Sequence, residues 1–337
     1  MLLPALDDLL ARTRIVSLPL NTRFRGVTHR EAALIEGDQR IGGTAAWAEF
    51  SPFLEYGPAE ASHWLAAALE YGFDPELERF VEGEVPVNAT VPAVPPERVA
   101  EVLARFDGCG TVKVKVAERG QVLEEDLARL EAVAAAAPDA GLRIDANGGW
   151  GLEEAERALR AIAGRGIELE YAEQPVATVP ELAELRGRIR ALGLPVRIAA
   201  DESIRKAEDP LAVVRAAAAD HLILKAQPLG GLRRAVRIVE ETGMSATVSS
   251  ALDTSVGIVM GAQLAARLPQ PRYAAGLGTV SLFAADVLRE PRRPAGGAVS
   301  LAPAVPDAAL LREHAAPPER VAWWQDRIRA CHALLGG

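Results

Sequence analysis

From about residue 85 onward, short β-branched runs alternate with Ala/Leu/Arg/Glu segments at helical spacing, and this rhythm constrains the fold more than any other feature. The runs are 85–91, 111–117, 142–147, 168–173, 196–201, 221–226, 246–250 and 272–277. Helical spacing fills 96–106, 121–137, 152–163, 178–192, 208–218, 231–242 and 254–267. Corresponding points recur evenly: Asp145 to Glu173 and Glu173 to Asp201 are each 28 residues, and Asp201 to Lys225 is 24. Eight strands separated by helices predict an α/β barrel of the TIM type rather than an open, doubly wound sheet. An open sheet needs a glycine-rich phosphate turn after its first strand, and Gly276-Leu277-Gly278 is too short and too late.

Residues 1–84 break the rhythm. Strands are expected at 14–20, 32–36 and 45–49, and helices at 58–70 and 75–81, which reads as a small α+β domain ahead of an 85–299 barrel. The tail is rich in Pro and Gly and ends in an amphipathic helix carrying Trp323 and Trp324. That segment, about 300–337, is expected to pack back on the N-terminal domain.

The net charge of −9, with no lysine-rich stripe to offset it, argues against a nucleic-acid partner. Cys109 and Cys331 form neither a CxxC pair nor a disulfide framework. No apolar stretch approaches a membrane span, and the first residues lack the basic region and cleavage site of a signal peptide, so a cytoplasmic protein is expected. The oligomeric state stays open, a monomer being one expectation.

Only four lysines accompany thirty-three arginines. Lys206 lies in a polar stretch and reads as surface. Lys113 and Lys115 lie in Thr-Val-Lys-Val-Lys-Val, and Lys225 follows Leu-Ile-Leu. A chain that uses arginine for surface charge has reason to place lysine in a strand when a removable proton is needed, because lysine shifts its pKa readily. Residues two apart share a strand face, so Lys113 and Lys115 are expected to point together into the barrel, where like charge and desolvation would lower an ammonium pKa.

Asp145, Glu173 and Asp201 close the strands between the lysines. Strand C-termini form the active-site face of such barrels, and three hard carboxylates on adjacent strands suit Mg²⁺, with Mn²⁺ a possible substitute. Zinc would prefer His or Cys, and His221 lies at the wrong end of its strand. The bland reading pairs the acids with arginines such as Arg143 or Arg197. Arg143 and Asn147 share a face with Asp145 and are expected to orient it. Lys115 on the second strand and Lys225 on the sixth stand on opposite sides of the metal.

Lys113-x-Lys115, Asp145-Ala-Asn147, Glu173-Gln-Pro, Asp201-Glu-Ser and Lys225 with Gly230-Gly231 resemble the enolase superfamily, in its order and across the whole barrel. The resemblance implies a capping domain joined to a modified TIM barrel of (β/α)7β type. Lysines on both sides place the chain nearest the muconate-lactonizing-like subgroup. Asn21-Thr-Arg-Phe-Arg-Gly26, Trp47-Ala-Glu-Phe-Ser-Pro52 and Gly276-Leu-Gly-Thr279 are most similar to the o-succinylbenzoate synthases of actinobacterial type.

By that resemblance, the substrate is a small carboxylate, 2-succinyl-6-hydroxy-2,4-cyclohexadiene-1-carboxylate, dehydrated to o-succinylbenzoate for menaquinone synthesis. It implies Lys115 as base and then acid, Lys225 as the facing cation, Lys113 as the tuning neighbour, and Asp145, Glu173 and Asp201 as metal ligands. Glu202 falls in the outer shell. Arg23 and Arg25 could meet a dianionic substrate or be surface arginines. Ser249, Ser250 and Asp253 could line the substrate pocket or cap the next helix, with Gly276 beside them. Gly230 and Gly231 could present N–H groups to a carboxylate or permit a turn. The same strand ends also serve an N-acylamino acid racemase or dipeptide epimerase. A non-catalytic barrel would lack one of these charges, and none is missing.

Overall fold

The computed structural model describes residues 3–24, 26–41, 44–75, 77, 80–205, 211–269 and 272–336, so the expectations placed on Arg25 and Lys206 lie outside the described residues. After a short helix, Leu6–Ala11, three antiparallel strands follow in the order β1 (Thr13–Phe24), β2 (Val27–Ile41) and β3 (Thr44–Phe50). The helix Pro58–Phe73 starts with proline at its first turn, where no N–H is needed, and buries Trp64, Leu65, Ala68 and Leu69. It comes within touching distance of β2 because both contact residues are glycines: a Cβ on Gly37 would lie 2.1 Å from the carbonyl oxygen of Gly72.

The C-terminal helix, Pro318–Leu335, lies on this N-terminal unit. Buried Trp324 donates its indole N–H to Glu31 Oε2 at 2.7 Å and meets the edge of Phe50 at 5.7 Å. Expected residues 75–81 form no helix where they are described. Val81 explains part of this, because Gln263 takes both its N–H (3.0 Å) and its carbonyl (2.8 Å), leaving nothing for a helical ladder.

The remaining strands are β4 (Glu84–Pro86), β5 (Ala89–Val91), β6 (Thr111–Lys115), β7 (Gly141–Asp145), β8 (Leu169–Glu173), β9 (Ile198–Ala200), β10 (His221–Leu224), β11 (Ala246–Val248) and β12 (Ala298–Ser300). Strands β5 to β11 form one parallel sheet in sequence order. Ala275 bridges to Val87 and Gly276 to Ser249, so the two edges meet and the barrel closes. Val112, Val114, Leu142 and Ile144 join Leu127 and Leu130 in the hydrophobic core, which leaves Lys113, Arg143 and Asp145 for the inside.

Two expected strands come out differently. The run 85–91 splits, with β4 pairing antiparallel to β12 while β5 enters the barrel. Pro86 supplies no N–H to continue a ladder, and buried Asn88 donates to its neighbour Ala89 O at 2.8 Å. The run 272–277 is reduced to bridges. Arg143 takes the Ala274 carbonyl at 2.7 Å, and the chain then turns into a 3₁₀ helix, Gly278–Leu282. The helix expected at 208–218 is described only as Ala212–Arg215. No helix among the described residues is long and apolar enough to cross a membrane.

Candidate active site

Parallel pairing puts Lys115 opposite Asp145 and Asp145 opposite Glu173, so β6, β7 and β8 end in one charged layer. Asp201 and Lys225 follow β9 and β10 directly. Asp145, Glu173 and Asp201 are at most 1% exposed. Lys113 lies between two of them, donating to Glu173 at 3.1 and 3.2 Å and standing 3.6 Å from Asp145 Oδ2. Lys115 donates to the Asp145 carboxylate and to Asn147 Oδ1 at 2.9 Å. Lys225 donates to Asp201 Oδ2 at 2.5 Å. The acids are therefore paired with lysines rather than with Arg143 or Arg197.

Both lysines of β6 reach Asp145, as their shared face requires. One of these two ammoniums is expected to have a lowered pKa, and Lys113 is not that one. Burial alone would lower it, but Glu173 and Asp145 outweigh burial and raise it above the ordinary lysine value. The two carboxylates beside Lys113 outweigh the neighbouring ammonium and its burial. Burial opposes ionisation of Asp145, yet Lys115, Lys113 and Lys225 hold it well below the usual carboxylate range. Burial and the nearby Asp145 charge push Glu173 up to about 7, against the pull of Lys113.

Asn147 occupies the left-handed region, φ 48°, which asparagine tolerates better than most residues. Its N–H donates to Asp145 Oδ1 at 3.0 Å and its amide to Glu202 Oε1 at 3.3 Å, so it links the acid of β7 to the start of the helix Glu202–Arg205. Arg143 does not orient Asp145. It is fully buried one layer below, bonded to Glu170, Asn88 (3.1 Å) and Ala274, and stacked over Tyr171 at 4.9 Å.

A cavity opens above the charged layer, lined by Lys113, Lys115, Asp145, Asn147 and Lys225. Its other side is Phe53 of the cap, Thr90, Ser249, Ser250, Ala251, Leu252, Gly276 and Thr279. Ser249, Ser250 and Gly276 thus reach the cavity, with Ser250 Oγ held 2.7 Å from Thr279 Oγ1. Asp253 neither lines the cavity nor caps the helix Ser255–Ala265. Thr254 caps it, and Glu49 of the cap accepts the Thr254 and Gly257 N–H groups. Arg23 lines a neighbouring hollow with Arg119 that shares Lys115 and Asn147 with the cavity. The N–H groups beyond Gly231 do meet a carboxylate, that of Glu70 on the cap helix, with Leu232 N–H at 2.5 Å.

Residues 15–72 match the family described as "Enolase N-terminal domain-like" and residues 97–308 "Enolase C-terminal domain-like". An o-succinylbenzoate synthase of Mycolicibacterium smegmatis is 54% identical, over 98% of this chain and 98% of its own. One of Mycobacterium tuberculosis is 52% identical over 99% of this chain and 97% of its own. The chain belongs to the o-succinylbenzoate synthase family of the enolase superfamily. Solved structures agree on the fold. A muconate lactonizing enzyme from Pseudomonas fluorescens superposes with TM-score 0.74 at 20% identity, covering 90% of this chain and 98% of that one. A 2-chloromuconate cycloisomerase from Rhodococcus opacus gives 0.72 at 21% identity with the same coverage.

Within this family member, several residues shape the site that sequence reasoning passed over. Gln174, fully buried at φ 38°, accepts from the Asp201 N–H (3.0 Å) and the Ser203 N–H (3.1 Å), fixing the loop that carries Asp201. Its only signal was its place directly after Glu173. Phe53, Thr90 and Thr279 reach the cavity from three separate segments and carry no periodic signal.

Proposed function

We propose that the chain is a divalent-cation-dependent o-succinylbenzoate synthase, dehydrating 2-succinyl-6-hydroxy-2,4-cyclohexadiene-1-carboxylate on the menaquinone pathway. The observation that carries this reading is the bracket of Lys115 and Lys225 around three buried carboxylates, in a chain that matches o-succinylbenzoate synthases end to end.

As the side chains stand, no three Asp, Glu, His or Cys groups among the described residues converge to hold an ion, because lysine ammoniums lie on the carboxylates. The donor set nevertheless fits one: it is all oxygen, buried, on adjacent strand ends, and already collects cations. Asp145, Glu173 and Asp201 are the residues that would hold Mg²⁺ or Mn²⁺. A bound divalent cation supplies positive charge that stabilises the enediolate oxygens of the substrate.

In this reading Lys115, in its neutral form, takes the ring proton beside the substrate carboxylate, and the C–H electron pair passes into that carboxylate. The pair then returns to form the aromatic ring as the C–O bond breaks. Lys115 gives its proton to the departing hydroxide, so the net loss is one water. Lys225 remains an ammonium on the opposite side. Lys113, held charged by Glu173 and Asp145, tunes Lys115 and helps hold the substrate carboxylate. Asn147 keeps Lys115 and Asp145 in register.

The proposal keeps residues 1–84 with about 300–337 as the cap and 85–299 as the catalytic barrel, in the cytoplasm. The β4–β12 pairing at the seam supports that division. Lysines on both sides also favour a second reading, an N-succinylamino acid racemase, in which both exchange protons. The test is formation of o-succinylbenzoate by ultraviolet absorbance with Mg²⁺ and after EDTA. Turnover that disappears with EDTA supports the reading, and metal-independent or absent turnover contradicts it.

A further inference from the structure

Arg30 starts on β2 of the cap and ends, 3% exposed, against the barrel loop that follows β11. Its Nε donates to Leu252 O at 3.0 Å. Its Nη2 donates to Ser51 O, to Ser51 Oγ at 3.2 Å and to Ala251 O at 3.4 Å. The guanidinium also lies 4.7 Å from the centre of the Phe53 ring. Phe53 is the cap's contribution to the catalytic cavity, and Ala251 and Leu252 belong to the barrel's side of it. One side chain therefore grips both sides of the cavity across the domain boundary.

The barrel side is a turn that needs holding. Leu252 has φ 63°, a left-handed conformation that a branched residue keeps only when its surroundings impose it. From the barrel, Asp253 accepts the Ala251 N–H at 3.4 Å and the Gln227 amide at 3.1 Å. From the cap, Ser51 N–H donates to Gln227 at 3.2 Å, and Ser51 Oγ donates to Glu49 at 2.6 Å. Arg30 is the member of this network that binds the Leu252 carbonyl itself. These bonds fall on Ala251 and Leu252 in the wall of the cavity and on Ser51 of the cap.

We propose that Arg30 is a positioning residue for the reaction: it sets the separation of Phe53 from Ala251–Leu252, and so the width of the cavity end that receives the part of the substrate remote from the lysines. The proposal rests on the synthase reading for its substrate and on geometry alone for its residues. Since Arg30 acts through the walls of the cavity, its loss weakens substrate and transition-state binding together, which appears in KM more than in kcat.

The test compares Arg30→Gln and Arg30→Lys with the wild type, in steady-state dehydration of the cyclohexadiene carboxylate and in amide hydrogen exchange across 249–254. Arg30→Gln is expected to raise KM about tenfold with kcat changed less than about threefold, and to speed exchange in 249–254 about tenfold. Arg30→Lys, which keeps the charge but loses the planar fork, is expected to fall between the two. Unchanged KM and exchange would overturn the proposal, as would a loss confined to kcat, or a lower melting temperature with kinetics intact. Should Arg30→Gln fail to fold, the same KM and exchange criteria apply to Arg30→Lys. A wild type that dehydrates nothing removes the synthase reading, while the exchange measurement still decides whether Arg30 holds the turn.

Discussion

Lys225 rests its ammonium 2.5 Å from Asp201 Oδ2, at the far end of an arc that begins with Lys115 on Asp145. Between them Lys113 bridges Asp145 and Glu173. Three buried acids and three lysines thus occupy the ends of five consecutive strands, with the cap closing one side of the space above them.

The two outer lysines are expected to do unequal work. Lys115→Arg keeps the charge and removes the usable base, so kcat for dehydration should fall by about 10²–10⁴-fold or more with the fold intact. Lys225→Arg keeps a cation facing the enediolate and should retain more dehydration than Lys115→Arg. Steady-state kinetics on both variants checks this. Equal losses would contradict the division of labour.

The acids should act as a set in binding a divalent cation. Asp145→Asn, Glu173→Gln and Asp201→Asn should each weaken Mg²⁺ or Mn²⁺ binding by at least about tenfold, about 1.4 kcal/mol, as read by calorimetry. Each should also abolish metal-dependent turnover. A variant that binds the cation as the wild type does removes that residue from the ligand set.

Glu49 gives stability a pH dependence separate from catalysis. Burial, then the charge of Asp253, raises Glu49 from 4.5 to about 7, against the bonds from Ser51 and Thr254. The folded state therefore holds the proton more tightly than the unfolded chain. The stabilisation is complete below about pH 4.5 and fades as pH rises through about 7. Glu49→Gln removes the titration while its amide can keep the Ser51 and Thr254 contacts. Relative to that variant, the wild type should lose roughly 1–3 kcal/mol between about pH 5 and about pH 8 in urea unfolding. A difference that stays flat or grows with pH contradicts this.

What was legible in the sequence is what repeats. Asp145, Glu173 and Asp201 fall 28 residues apart because each closes one strand–helix unit, so spacing alone placed them on neighbouring strand ends. Lys113 and Lys115 followed from the two-residue strand period. Contacts between distant segments were not legible. Arg30 meets Leu252 across 222 residues, and Glu49 meets Thr254 across 205, through a cap whose seating on the barrel no local pattern encodes. The turns at Asn147, Gln174 and Leu252 depend on left-handed backbone that only the fold imposes. Arg143 shares the strand face of Asp145, but its partners Glu170, Asn88 and Ala274 lie in the layer below, and no strand period identifies them.

The most direct measurement gives the purified wild type, with Mg²⁺, both candidate substrates. Dehydration of the cyclohexadiene carboxylate is followed by absorbance. Deuterium uptake at the α-carbon of each N-succinylamino acid enantiomer is followed in D₂O. A synthase should form o-succinylbenzoate with turnover on the order of 1–10³ s⁻¹. Efficient exchange of both enantiomers with no dehydration would contradict the synthase and establish the racemase in its place.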